Sequence, residues 1–247
     1  MTAFAFAALL AIQGWKSLQP GVDFATVAVK PNSTLYVVRV DPQQATLDVA
    51  LASEKGSPRT AAAWSREAGM SVVINLGMFQ DDQRSNVGYL RHGSHANNAS
   101  FNSYRAVLAA NPGTLWVDLD QTKPDLSKYN IVVQNLRLIA AGRKNVWAAS
   151  SRRWSEAALA ADSRGRLLFL FSRSPYSMHD FNALLLKLPL DIQRAMHLEG
   201  GPEASLSIHV AGVDLDLCGS YETGFSENDL NIGQWPIPNV LGVHRSR

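Results

Sequence analysis

The sequence is poor in the residues that most often announce a chemistry. It has one cysteine, Cys218, so no intramolecular disulfide and no cysteine metal site can form. A free cysteine is commonly a small buried apolar residue. Charge is thin as well: 18% of residues are charged and the formal net charge is +2. Basic pairs such as Arg152-Arg153 stand alone, whereas a nucleic-acid surface needs a cluster or stripe. No nucleic-acid partner is expected. Long apolar runs are also missing. The N-terminal run Ala3–Ile12 is too short to span a bilayer, so no stable membrane span is expected. Its length suits the core of a signal peptide, although no Lys or Arg precedes it; the alternative is an apolar surface helix. We read residues 1–20 as an export signal or apolar N-terminal segment and residues 21–247 as one domain. The expected location is then periplasmic or extracellular. The sequence further lacks GxGxxG, a P-loop, HExxH and GxSxG, so the common nucleotide, zinc-protease and serine-hydrolase fingerprints are absent.

What is present is an ordinary folding composition. Apolar residues make up 46% of 247, enough for a core without disulfide or metal staples. Gly and Pro punctuate short apolar runs, as in a sheet-rich domain. Strands are expected at Ser33–Val40, Ala45–Leu51, Ser71–Leu76, Thr114–Leu119 and Ile131–Ile139, and later at Ala195–Glu199, Ser205–Ala211, Val213–Leu217 and Val240–His244. Glu156–Ala161 and Arg166–Phe171 flank Asp162-Ser-Arg-Gly165, which reads as a hairpin. Two helices are expected. Thr60–Ala68 stops at Gly69. The other starts at Ser177-Met-His-Asp180, a variant capping box, carries Phe181, Leu184, Leu185 and Leu188 at helical spacing, and ends at Pro189. Many strands and few helices, not in strict alternation, predict an α+β domain: a single sheet-rich unit with helices packed on mostly antiparallel or mixed strands.

Three polar constellations stand out. His197-Leu-Glu199-Gly200-Gly201-Pro-Glu203-Ala-Ser205 sets two carboxylates four residues apart around glycines and a proline. Neither helix nor strand interior welcomes that centre. Bare glycine backbone can approach a ligand closely or turn amides toward an anion; the alternative is a tight connection with both acids in water. In Asn75-Leu-Gly77-Met-Phe79-Gln-Asp81-Asp82, a strand end runs into glycine, an aromatic and acids. Asn75 needs partners if buried, while Asp81 and Asp82 suit a turn. Third, Ser151-Arg-Arg153-Trp-Ser-Glu156 places arginine, which forks onto phosphate, beside an indole, which stacks on apolar faces. The six histidines, His92, His95, His179, His197, His209 and His244, include no pair with metal-like spacing on a defined element. Hydrogen-bonding roles are expected for them, and no metal site or cofactor is assigned.

Together these segments resemble the phosphodiester glycosidase family, which includes the uncovering-enzyme catalytic domain. Asn75-Leu-Gly77-Met-Phe79 matches the family's N-x-G-x-F. Arg153 with Asp162-Ser-Arg-Gly165 follows the central arginine segment before D-x-x-G. Leu198-Glu-Gly-Gly-Pro-Glu-Ala-Ser205 follows the closing L-D-G-G-G-S-S turn, with Glu199 in place of aspartate, as in a bacterial sub-branch. The resemblance spans roughly residues 21–243. It implies hydrolysis of a sugar joined through its anomeric carbon to a phosphodiester, whose oxocarbenium-like transition state a carboxylate stabilises or attacks. On that resemblance Glu199 takes the anomeric centre, with Glu203 the second carboxylate and Asp81 holding the sugar or orienting Glu199. Arg153 binds phosphate, Gly200 and Gly201 line the site, and Asn75 holds the sugar or orients Glu199. Phe79, His179 and Ser205 complete the substrate-binding set. The implied partner is a small-molecule or glycan phosphodiester; no partner protein is indicated. Two rivals stay open: an envelope glycan binder using Trp154, Tyr176 and Trp235 as sugar platforms, and a metal-dependent phosphodiesterase using Asp81, Asp82, Glu199 and a histidine on a divalent ion.

Overall fold

The computed structural model describes residues 12–29, 32–120 and 124–246. In chain order its elements are β1 (Ile12–Gln19), β2 (Val22–Val29), β3 (Ser33–Val40), β4 (Leu47–Leu51), α1 (Ala52–Lys55), α2 (Ala61–Ala68), β5 (Met70–Asn75), β6 (Leu90–His92), β7 (His95–Asn98), β8 (Ala106–Ala110) and β9 (Thr114–Asp118). There follow β10 (Ile131–Asn135), β11 (Arg137–Ala140), β12 (Lys144–Asn145), β13 (Trp154–Asp162), β14 (Leu167–Tyr176), α3 (Met178–Lys187), β15 (Ile192–Gly200), a 3₁₀ turn (Gly201–Glu203), β16 (Ser205–Val210), β17 (Val213–Cys218) and β18 (Asn239–His244).

The strands form three sheets, in the orders β1-β2-β3-β14-β13-β15-β11-β12, β17-β16-β5-β18-β4 and β7-β6-β10-β8-β9. Among the described residues every ladder is antiparallel. All three sheets feed one core: Val38, Leu159 and Phe169 from the first, Ile74, Leu206 and Leu241 from the second, Leu108 and Val133 from the third. Because side chains alternate faces along a strand, Ala157 and Leu159 enter this core while Ala158 and Ala160 enter another on the outer face of the large sheet. There α3 seats Phe181 and Leu185 against Val37, Leu170 and Ile139. The expected sheet-rich domain with a few helices is what the chain forms, its strands divided among three antiparallel sheets.

Local chemistry explains the sharper boundaries. Asp162 Oδ1 accepts from the amides of Arg164 (2.9 Å) and Arg166 (3.0 Å) and closes the β13–β14 hairpin. Ser177 Oγ accepts from the Asp180 amide at 3.1 Å and starts α3. Gly69, at φ +67°, stops α2. Two expectations change. Ile131–Ile139 is not one strand: β10 pairs in the third sheet and β11 in the first, so the chain changes sheet at Leu136. The carbonyl of Leu136 accepts from the His197 amide at 2.9 Å, and Asn135 Nδ2 donates to the Leu76 carbonyl at 2.9 Å, which pins the crossing. Second, Ile12–Gln19 is a strand paired with β2, so residues 12–19 belong to the large sheet. The rest of the run Ala3–Ile12 lies outside the described residues. Among them, no helix is long and apolar enough to cross a membrane.

Candidate active site

Met196 and Leu198 of β15 point into the main core. His197 therefore faces the opposite way, the same side to which β13 delivers Trp154 and Glu156; a register shift between His197 and Glu199 breaks the alternation there and lets Glu199 line the same cavity. In the ladder Glu156 pairs with Gly200 and Ala157 with Glu199. This face opens at its end into a cavity of about 360 Å³. Its apolar walls are Met78, Leu136, Trp147, Trp154 and Met178; Ser150, Arg152, His197, Glu199 and Glu222 supply polar groups.

Glu156 and His197 are both buried, and a buried charge needs a partner. They are each other's: Glu156 Oε1 lies 2.5 Å from His197 Nδ1. The second carboxylate oxygen, Oε2, accepts from the Trp154 indole N–H at 2.7 Å. Burial opposes charge on His197, but Glu156 outweighs it and raises the imidazole's pKa. Glu199 has no such neutralising bond. Burial pushes its pKa up to about 8, against the pull of His197 and a 3.1 Å hydrogen bond from the Gly200 amide. Burial also raises Glu203 and Glu222. Tyr104 is raised first by burial and then by the Glu199 charge, which places this tyrosine within reach of the same carboxyl's field.

The glycines have reasons for being glycine. A β-carbon on Gly200 would stand 2.7 Å from Trp154 Cδ1, so the indole packs directly against bare backbone. Gly201 adopts φ +63°, and a β-carbon there would meet Glu222 Oε2 at 2.6 Å and Glu203 Oε2 at 3.5 Å. Two carboxyls thus converge on Gly201 while Glu199 opens the turn. Asn75, buried at the end of β5, commits its amide to this turn: Nδ2 donates to the Glu203 carbonyl (3.1 Å) and Oδ1 accepts from the Ser205 amide (2.7 Å). Ser205 Oγ bonds the same carbonyl at 3.1 Å.

Of the residues expected from sequence, the structure brings Glu199, Gly200, Gly201 and Glu203 together, with Asn75 and Ser205 holding them from behind. Four others stand apart. Asp81 is exposed in a turn. Phe79 packs against the Trp64 cluster behind the second sheet. His179 sits beside Asp180 at 3.3 Å. Arg153 is exposed, and its backbone pairs with Thr223; its neighbour Arg152 is the arginine that lines the cavity. Sequence reasoning missed Glu156, His197, Arg152 and Glu222 as site residues. The signal for Glu156 was present: a lone acid opening the apolar strand Glu156–Ala161 demands a buried partner. Glu222 had no signal, since it arrives through a bridge between its loop and Trp154. Among the described residues no group of three or more His, Cys, Asp or Glu side chains is arranged to hold a metal ion. A second cavity of about 380 Å³ surrounds Asp48, Arg59, Trp64 and His92. Its charges pair locally, Arg59 with Glu67 at 2.6 Å and His92 with Asp48 at 3.3 Å.

The backbone is similar to that of solved structures. The zebrafish N-acetylglucosamine-1-phosphodiester alpha-N-acetylglucosaminidase catalytic domain, auto-inhibited by its pro-peptide, superposes with TM-score 0.65 over 93% of this chain and 84% of that one, at 13% identity. A hypothetical protein from Synechocystis gives TM-score 0.63 over 92% of this chain and 64% of its own length, at 12% identity. At such identities the likeness speaks for the fold. No curated protein matches. The phosphodiester glycosidase family model matches residues 68–244, which holds every wall of the cavity. The chain belongs to the phosphodiester glycosidase family.

Proposed function

We propose that the protein hydrolyses the bond between the anomeric carbon of a sugar and the oxygen of a phosphodiester, releasing free sugar and a phosphomonoester. Water supplies the oxygen that ends on the anomeric carbon; the phosphate leaves with the original bridging oxygen. One observation carries the reading: Glu199, with its pKa near 8, keeps its proton at neutral pH inside a cavity that also holds Glu222. Pairs of carboxyls in unlike environments divide acid and base work between them. A protonated Glu199 can sit against an anionic phosphate, which a carboxylate would repel, and can hand its proton to the departing oxygen. Glu222, in ionised form, faces the carbon as positive charge develops there. Arg152 adds a cation for the phosphate, and Trp154 an apolar face for the sugar ring. The family assignment supports the reaction class.

The test is product identity. Purified protein is incubated with a UDP-linked N-acetylhexosamine and related sugar-1-phosphodiesters, with and without EDTA, beside Glu199→Gln. Free sugar, lost in Glu199→Gln and unchanged by EDTA, is the expected result. Sugar-1-phosphate that vanishes with EDTA would transfer the site to a metal-dependent phosphodiesterase. Glycan binding with no turnover on any diester would make it a binding protein.

A further inference from the structure

Two buried groups at this site have no place in the bond-breaking step above. Glu156 and His197 cost the fold desolvation energy, and a buried ion pair is weak evidence for stability because an apolar pair of the same size often does as well. Their geometry points elsewhere. Glu156 divides its carboxylate between two cavity walls, with Oε1 on His197 Nδ1 at 2.5 Å and Oε2 on Trp154 Nε1 at 2.7 Å. The two rings stand 6.2 Å apart at an interplanar angle of 68°. The Trp154 ring is further wedged against Gly200. One carboxylate thus fixes a cationic ring and an aromatic ring at a set angle around one opening.

We propose that His197 is the phosphate-binding group of the cavity and that Glu156 is its positioning residue. With Nδ1 committed to Glu156, Nε2 is the ring atom left for a ligand. It donates only when it carries a hydrogen. A carboxylate on Nδ1 favours the imidazolium, in which both nitrogens are donors. A charged donor on an anionic oxygen makes one of the stronger hydrogen bonds available. The groups facing His197 are Glu156, Glu199 and Glu222; Glu156 leads in favouring its cationic form, and Glu199 and Glu222 add to this when ionised. The bound phosphate joins this set as a further anion. Arg152 then closes the phosphate from the solvent side, being exposed where His197 is buried. Trp154, held by the same carboxylate, sets where the sugar ring lies relative to that phosphate. The proposal deepens the phosphodiester reading by naming which group recognises the anion. It does not need turnover to be tested.

The experiment is a titration of the protein with inorganic phosphate, and then with a sugar 1-phosphate, followed through the histidine imidazole nitrogens by long-range ¹⁵N–¹H NMR at pH 6.5. In the wild type His197 is expected to read as imidazolium, and its Nε2 signal to move saturably with phosphate. In Glu156→Gln the ring is expected to shift toward the neutral pattern and phosphate to bind about tenfold or more weakly, the scale of one charge-assisted hydrogen bond. Glu156→Asp should recover part of that loss. A wild-type Nε2 signal that phosphate leaves unmoved, or equal affinity in Glu156→Gln, would overturn the proposal. If Glu156→Gln does not fold, Glu156→Gln/His197→Gln replaces it, with a neutral amide pair. Phosphate binding retained there would also overturn the proposal. Failure of the wild type to release sugar from any diester, with the Nε2 response intact, would count against the reaction and leave the anion site standing.

Discussion

At the scale of single residues, Glu199 is held neutral at a pH where a glutamate in water is ionised. That has a consequence for stability with a definite sign. Its folded-state pKa, about 8, lies above the ordinary 4.5. The folded form therefore binds the proton more tightly than the unfolded chain, and this contribution is complete below pH 4.5 and lost as pH rises through 8. Glu199→Gln removes the titration. It is predicted to raise Tm at pH 8, to change it far less at pH 4.5, and to lower kcat by about 10³-fold or more, as loss of a general acid in a concerted site does. Melting curves at the two pH values, read beside the assay, check both halves. A Glu199→Gln protein less stable at pH 8 would refute the burial argument. Activity of the wild type should decline above about pH 8 as the acid is lost. Legibility at this scale follows locality. Glu199, Gly200, Gly201, Glu203 and Ser205 lie within seven consecutive positions, so a short stretch of sequence displays them. Glu222 joins the cavity through a loop-to-strand bridge with Trp154, and spacing along the chain carries no trace of that.

At the scale of elements, the turn after β15 is the part that must not move. Its backbone is clamped from two sides. Asn75 bonds the Glu203 carbonyl and the Ser205 amide, and Gly219 approaches so closely that a β-carbon there would overlap the Gly201 carbonyl. Asn75→Ala is predicted to cost about 2 kcal/mol of stability, the scale of leaving a buried amide and carbonyl unpaired. It should also lower kcat by about 10- to 100-fold through misplacement of the acids, a split that denaturant melts and initial rates resolve. Gly219→Ala should be worse, because the atom it meets is backbone. Strands with β-branched or alternating sequence, such as β3 and β17, were readable. β8, Ala-Val-Leu-Ala-Ala, and β7, His-Ala-Asn-Asn, were not, because alanine and asparagine are depleted in strands and only their ladder partners make them strands. The break between β10 and β11 was hidden for a related reason: apolar residues continue through Leu136, and the change of sheet is a tertiary event.

At the scale of the molecule, the second and third sheets are tied by a charged knot at the second cavity. Asp48 of β4 contacts His92 of β6 at 3.3 Å and His244 of β18 at 2.8 Å, while Glu54 of α1 takes His92 Nδ1 at 3.0 Å. Hydrogen bonding to Asp48 leads in raising His92 to about 9. Burial opposes the charge on Asp48, but the two histidines hold it down to about 2. For His92 the stabilisation is complete below pH 6.5 and fades as pH rises through 9. For Asp48 it is complete above pH 3.8 and fades as pH falls through 2. Asp48→Asn is therefore predicted to lower Tm by a few degrees at pH 6 and by less at pH 10, and to return the His92 titration toward 6.5. Equal losses at both pH values would show that the knot is packing rather than charge.

The roles proposed for Glu199 and Glu222 both require that the bond broken lies between the sugar's anomeric carbon and oxygen, and one isotope experiment reads that bond directly. A sugar-1-phosphodiester is hydrolysed in H₂¹⁸O under single-turnover conditions, and the products are weighed by mass spectrometry. Cleavage at the anomeric carbon puts ¹⁸O on the released sugar and none in the phosphomonoester, which is the predicted result. ¹⁸O in the phosphate would mean attack at phosphorus, and would contradict the acid role of Glu199 and the charge-stabilising role of Glu222 together.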